Sequence, residues 1–171
     1  MQDNHGAIEE GLRRFNVYAR GHLGLALLIS FGLLVLLKVK DFNAVLVAAI
    51  ATALSTLPDV DLKLGLPHRK YTHNVTVGVI AGVAVGILFL DTSIGFLGGF
   101  LGGFGGVLLH LIGDAFTHRS FKPFLPFSGL EVGFKVFRSS NRLVNEGFLC
   151  LGLAVTALYI IIVHAKLLNP W

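Results

Sequence analysis

The chain has 171 residues, of which 54% are apolar and only 14% are charged, and its mean hydropathy is +0.74. Soluble domains carry about 25% charged residues, so this composition excludes a soluble nucleic-acid-binding protein despite the net charge of +4. Disorder is excluded because it requires low hydrophobicity. The single cysteine, Cys150, excludes an intramolecular disulfide and a cysteine-based zinc site. The length suits one membrane-embedded helical domain covering residues 1–171, with membrane lipid and no nucleic acid as its partner.

Five apolar runs predict membrane-spanning helices, because a spanning helix needs about 20 mostly apolar residues. The second and third runs are short, and either one alone could also be a core helix. Together with three longer neighbours they predict an all-α polytopic bundle of about five transmembrane helices. In chain order the runs are Gly21–Leu37, Phe42–Leu57, Val75–Leu90, Ile94–Thr117 and Glu146–Leu167.

The segment before the first run is rich in charge and has no apolar core, so no cleavable signal peptide is expected. Residues 1–20 are predicted to form an N-terminal interfacial segment whose apolar residues are Ile8, Leu12, Phe15 and Val17.

The basic residues predict the orientation in the membrane. The N-terminus, the loop Pro58–Asn74 and the long loop of residues 118–145 fall on one face, which carries eleven Lys and Arg residues against three on the other. Because Lys and Arg are enriched in cytoplasmic loops, we expect a multi-pass protein of the cell membrane with a cytoplasmic N-terminus and a long cytoplasmic loop at residues 118–145.

Glycines recur every four residues in the third and fourth runs, which places them on common helical faces and predicts close packing of these two helices. They are Gly78, Gly82 and Gly86, then Gly95, Gly99 and Gly103 beside Gly98, Gly102 and Gly106.

Ionisable residues collect at the helix ends of the predicted cytoplasmic face, where they are costly and usually functional. His110 and Asp114 are four residues apart, on one helical face, and His118 shares that face if the helix continues. Imidazole with carboxylate suits zinc, manganese or iron better than calcium or magnesium. The set at these helix ends is His22, Asp59, Asp61, His68, Arg69, His73, His110, Asp114 and Glu146.

Several of these residues have structural explanations that the sequence leaves open. A hydrogen bond between His110 and Asp114 needs no metal. Asp61 could orient a ligand histidine, and Arg69 could pair with an aspartate or bind phosphate. Glu146 could be a first-turn carboxylate favoured by the helix dipole. His68 could cap a loop, and His118 could be solvated.

Four motifs, in order, carry a resemblance to a known family: GHL at Gly21–Leu23, LPDVD at Leu57–Asp61, HRKYTHN at His68–Asn74 and HLIGDAFT at His110–Thr117. They resemble the YdjM-like membrane-bound metal-dependent hydrolases from Gly21 to Glu146. The sequence departs from the family's usual Pro-Gly turn after Thr117. The resemblance implies a helical integral membrane protein with a metal site, and the matching residues are His22, Asp59, Asp61, His68, Arg69, His73, His110, Asp114, Thr117 and Glu146.

A more distant similarity concerns the zinc-dependent phospholipase C and S1/P1 nuclease group, which is also all-helical. That group has the order His, Asp, His and then His-x-x-x-Asp, which reads here as His22, Asp59, His73, His110 and Asp114. This similarity implies one or two metal ions rather than three, since Arg142 stands where a further histidine is expected.

These observations predict a zinc-type hydrolase that acts on a phospholipid or lipid-linked phosphate at the cytoplasmic membrane surface. The first metal is assigned to Asp59, His73, His110 and Asp114. A second metal is assigned to His22, Glu146 and His118. Asp61 or Asp59 is expected to accept a proton from water. The residues expected to bind the substrate are Arg69, His68, Arg138 and Arg142.

Two other functions fit the same residues. A metal or proton transporter would need polar groups through the bilayer, which the predicted helices hardly show. A structural membrane protein whose metal only joins helix ends would bind metal but tolerate loss of Arg69.

Overall fold

The computed structural model describes residues 3–168 and the side-chain surroundings of residues 17–163. Within this part of the chain the protein forms six α-helices and two isolated β-bridges, which confirms the predicted all-α class. The helices are α1 (Asp3–Leu36), α2 (Phe42–Leu54), α3 (Val60–Lys63), α4 (Val75–Leu88), α5 (Gly95–Ala115) and α6 (Arg142–Leu168).

Three helices are long and apolar enough to cross a membrane: the part of α1 from Val17 to Leu36, all of α5, and α6 from Arg142 to Val163. Helices α2 and α4 are equally apolar but shorter, with 13 and 14 residues. The five together form a helical membrane bundle.

The helix boundaries differ from the predicted ones where local caps intervene. Helix α1 is continuous from Asp3 to Leu36, without a break at Arg20. The side chains of Ile8, Leu12 and Phe15, on which the interfacial prediction rested, lie outside the described residues. At the other end of the chain, α6 begins at Arg142 because the Asn141 side chain accepts a hydrogen bond from the Val144 amide.

Helix α5 is the centre of the bundle, because its glycines give it two faces without side chains. A Cβ at Gly99 or Gly103 would lie 2.7 Å from a carbonyl oxygen of α4, and one at Gly102 would lie 2.7 Å from Ile50 of α2. Glycine thus lets α4 and α2 approach the α5 backbone on different sides. The predicted close packing of the third and fourth runs is confirmed, and α2 uses the second glycine face.

We expect Gly103→Ala to destabilise the bundle, because its Cβ would meet the backbone oxygen of Ala81 at 2.7 Å. Overpacking of this kind costs about 1–3 kcal/mol, which thermal unfolding in detergent would measure. The matched control is Gly105→Ala on the same helix, whose Cβ would lie 3.7 Å from the Ala51 side chain, an ordinary contact. Equal melting temperatures of the two variants would contradict this packing.

The long loop after α5 folds back over the end of the bundle. Parallel bridging joins Thr117 to Phe137. Phe121 is buried against Val107 and Leu111 of α5. The Val75 amide, at the start of α4, donates to the Pro123 carbonyl across 2.8 Å. The loop is therefore fixed to the same end of the bundle at which the ionisable residues collect.

Candidate metal centre

The buried polar residues of the chain meet at this end of the bundle. These residues come from five segments, and the adjoining helices set the direction of each. The segments are the first apolar turns of α1, the turn after α2, helix α3, the loop before α4, and the last turns of α5. These residues are His22, Asp59, Asp61, His68, Arg69, His73, His110 and Asp114.

Two imidazoles and two carboxylates face a common point. The Nε2 atom of His73 lies 3.3 Å from Asp59 Oδ1 and 3.4 Å from Asp114 Oδ2. The Nε2 atom of His110 lies 3.7 Å from each of the same two oxygens. All four side chains are at most 2% exposed. We call this group, His73, His110, Asp59 and Asp114, the four-residue cluster.

One atom of each residue in the four-residue cluster has no hydrogen-bond partner. They are Nε2 of His73, Nε2 of His110, Oδ2 of Asp59 and Oδ2 of Asp114. A buried polar atom without a partner costs about 1–3 kcal/mol, so the three that face one another on His73, His110 and Asp114 need an explanation. A divalent cation provides one, because imidazole nitrogen and carboxylate oxygen are ligands of zinc and related metals. These buried groups could therefore bind a metal ion.

Hydrogen bonds behind the cluster fix both imidazoles in a ligand orientation. His110 Nδ1 lies 2.8 Å from the Ser55 carbonyl oxygen, which can only accept, so Nδ1 carries the proton. His73 Nδ1 lies 2.8 Å from Thr72 Oγ1, whose own proton goes to Asp61 Oδ2 at 2.8 Å. In the neutral rings the lone pairs are therefore on Nε2, pointing into the cluster, as in metal sites with oriented histidines.

Asp61 organises the loop behind the cluster. Its Oδ2 accepts from the Arg69 amide at 3.2 Å, and His68 Nδ1 lies 3.0 Å from its Oδ1. Burial raises the pKa of Asp61, but the hydrogen bonds of His68 and Thr72 lower it by more, so its pKa is below the ordinary value. Asp61 thus contacts the side chains that surround the cluster and remains an ionised acceptor near neutral pH.

Asp59 is also ionised. Burial raises its pKa, but the neighbouring His110, His73 and His22 lower it by more, so the pKa of Asp59 lies well below its usual range. A buried carboxylate that stays charged is suited to binding a cation rather than to proton transfer.

Arg69 is buried and contacts the cluster directly. Its Nη2 donates to Asp114 Oδ1 at 2.5 Å, and its Nη1 donates to Thr117 Oγ1 at 2.9 Å and to the Arg119 carbonyl. Both terminal nitrogens are thus occupied by protein groups, whereas the sequence suggested a phosphate contact or a pair with Asp59 or Asp61. The backbone of Arg69 has φ 67°, a strained left-handed conformation for a non-glycine residue. The guanidinium therefore positions Asp114 and leaves Oδ2 for the cluster.

His22 joins this cluster rather than a separate one. Its Nε2 lies 3.6 Å from Asp114 Oδ1, and its ring stacks on His110 with centroids 3.8 Å apart. A Cβ at Gly113 would lie 2.9 Å from His22 Nδ1, so the glycine makes room for the imidazole. With 10% of its side chain exposed, His22 is the edge of the cluster nearest to solvent.

The other predicted site residues lie outside the cluster. Glu146 pairs with Arg20 at 2.6 Å and joins α6 to α1. His118 is exposed because α5 ends at Ala115, before the turn that would have carried His118 onto the shared face. The structure therefore does not bring the predicted second ligand set together. Arg138 and Arg142 are exposed, the first beside His118 and the second at the start of α6.

Sequence reasoning missed three supporting groups: the Ser55 carbonyl, the Thr72 hydroxyl and the Arg119 carbonyl. Two are backbone atoms, which no residue type reveals. Only the Thr72 hydroxyl could have been found from the sequence, because Thr72 lies beside His73 within HRKYTHN.

A family model described as YdjM inner membrane protein matches residues 18–169, a range that contains every residue of the cluster and of its hydrogen-bonded surroundings. Comparisons with curated proteins and with solved structures found no match. The similarity to the zinc-dependent phospholipase C and nuclease group stays a prediction.

Proposed function

The chain belongs to the YdjM inner membrane protein family, and from this premise we propose that it is a metal-dependent hydrolase of the cytoplasmic membrane surface. Its proposed substrate is a phosphoester such as a phospholipid or a lipid-linked phosphate. The observation that carries the proposal is the convergence of three unpartnered buried atoms, which are His73 Nε2, His110 Nε2 and Asp114 Oδ2, with Asp59 Oδ1 facing both imidazoles.

The residues of the four-residue cluster would hold the ion, with His22 beside them at the solvent edge. Two nitrogen and two oxygen ligands make zinc the first choice. A bound ion of this kind supplies Lewis acidity and lowers the pKa of water toward neutrality.

The chain's own residues have separate tasks around that ion. Arg69 neutralises one oxygen of Asp114 and holds the other toward the cluster. The chain from His73 through Thr72 to Asp61 fixes the His73 ring. His22 borders a pocket of about 20 Å³, which is room for one water molecule. Water would therefore approach the cluster at the His22 side.

A structural metal site is the second candidate, because the four-residue cluster is almost fully buried and structural zinc sites are closed. Such a protein would contain metal and lose thermal stability on chelation, but it would not turn over a substrate.

The proposal is tested on detergent-purified full-length protein. We expect about one zinc per chain by elemental analysis, and metal-dependent release of a phosphate or headgroup from mixed phospholipid vesicles. Removal of the metal with a chelator should abolish release, and zinc should restore it. Metal without turnover would favour the structural candidate, and absence of stoichiometric metal after zinc reconstitution would contradict both.

The cytoplasmic orientation is part of the proposal and rests on the Lys and Arg asymmetry. Reporter fusions after Leu66 and Asp91 should lie on opposite sides of the membrane, with Leu66 in the cytoplasm. Both reporters on one side would contradict the orientation of α4, which separates them.

A further inference from the structure

A second concave site lies next to the metal centre, at the same end of the bundle. It is a cleft of about 470 Å³, within the size range of sites for small molecules. We call it the basic cleft, and its polar lining residues are Tyr18, His118, Arg119, Arg138, Ser139 and Ser140.

The two arginines that line the basic cleft, Arg119 and Arg138, are positively charged, and no carboxylate lines it. No carboxylate of residues 17–163 forms an ion pair with the side chains of Arg119 or Arg138. Two guanidinium groups at one cleft repel each other, and an anion between them would offset that repulsion. Arginine side chains bind phosphate through paired hydrogen bonds, and the two serine hydroxyls add further donors.

The backbone holds the two cationic segments side by side. The His118 amide donates to the Phe137 carbonyl at 2.9 Å, next to the bridge between Thr117 and Phe137. The Ser139 carbonyl accepts from the Asn145 side chain at 2.9 Å. The carbonyl of Arg119 accepts from Arg69, which also holds Asp114. Arg69 thus connects Arg119, which lines the cleft, to Asp114 of the metal centre.

The cleft shares part of its wall with the small pocket beside His22. Tyr18 and Ser139 form part of its wall and part of the wall of the 20 Å³ pocket that reaches His22. That pocket admits water but not a phosphate group. A ligand in the basic cleft would therefore lie next to the pocket that His22 lines.

The position of the cleft near span ends favours a membrane lipid as the source of the anion. Its lining residues His118, Arg119 and Arg138 stand within about four positions of two span ends, Ala115 at the end of α5 and Arg142 at the start of α6. Span ends lie at the boundary between hydrocarbon and headgroups. A phosphate at this level belongs to a lipid headgroup.

We propose that the basic cleft binds the phosphate of an anionic lipid headgroup through Arg119 and Arg138. This inference rests on the proposed function, since it names the group by which that site would recognise its substrate.

The test measures binding to the purified full-length protein in a non-ionic detergent by calorimetry. The probe is a short-chain phosphatidic acid, with inorganic phosphate as the second ligand. The double variant Arg119→Gln/Arg138→Gln should bind the lipid at least about tenfold more weakly. The matched control is Lys122→Gln/Lys135→Gln, which removes two positive charges from the same loop outside the cleft and should bind as the wild type does.

Equal affinity of the double variant and the control would overturn the cleft assignment. If inorganic phosphate binds as tightly as the lipid, the lipid source is overturned. Metal content is measured on every sample, so the two proposals can fail separately. Intact metal with no arginine-dependent lipid binding would overturn the cleft alone, and lipid binding without metal would overturn the hydrolase alone.

Discussion

His110→Ala is expected to lower the zinc affinity of the purified protein by more than about a hundredfold. Loss even of a group that only orients a ligand costs about 10–100-fold, and His110 would contribute a ligand atom itself. Its Nε2 is one of the four unpartnered atoms of the cluster, and its Nδ1 proton is held by the Ser55 carbonyl. Competition with a fluorescent chelator, followed by elemental analysis, would measure the change.

The control for this experiment is His118→Ala. This variant also removes a histidine side chain, but His118 lies eight residues after His110, is exposed and is outside the cluster. The control should retain wild-type metal content. Equal losses in both variants would mean that the metal lies elsewhere, and retention of metal in His110→Ala would refute the four-residue cluster as its site.

Arg69→Met is expected to have the largest effect on stability. It removes the cation from buried Asp114 and leaves the Thr117 hydroxyl and the Arg119 carbonyl without their donor. Breaking a buried ion pair by removing one partner costs about 3–5 kcal/mol. The free energy of unfolding of the metal-free protein in detergent should fall by that amount, and Lys70→Met, its exposed neighbour, should change it little.

This result would separate two roles of Arg69. A side chain that only clamped phosphate would leave the unfolding free energy unchanged and weaken activity alone. A loss of stability together with weaker metal binding is what a positioning residue of Asp114 requires. An unchanged melting temperature in Arg69→Met would contradict the buried ion pair.

The helices could be predicted because apolar length is a property of local sequence. Their ends were less accurate, since α6 begins where Asn141 provides a cap and α2 ends at Leu54, before the turn that leads to Pro58. Gly21 lets α6 approach α1 closely, because the Asn145 side chain occupies the space that a Cβ at Gly21 would fill. The sequence of one segment does not reveal such a contact with a distant segment.

The cluster could be anticipated because alternating helices bring every second helix end to the same face. Asp59, His73, His110 and Asp114 are all at or next to such ends, and His22 lies where the apolar part of α1 begins. Glu146 was expected there for the same reason. Its position in the sequence fixes its depth along α6 but not the direction in which its side chain points around the helix axis. Packing of α6 on α1 turns Glu146 toward Arg20 instead.

The short helices α2 and α4 have a consequence for the surrounding lipid. At 1.5 Å per residue, their 13 and 14 residues span about 20 Å, whereas the hydrocarbon core of a bilayer is about 30 Å thick. Helix α4 exposes Ile80, Ile87 and Leu88, so lipid chains contact it directly. We expect this hydrophobic mismatch to be relieved by local thinning of the bilayer. Headgroups beside α4 are thereby drawn down toward the depth of Asp59 and His73, and acyl-chain length becomes a variable that sets how near a lipid phosphate comes to the buried histidines.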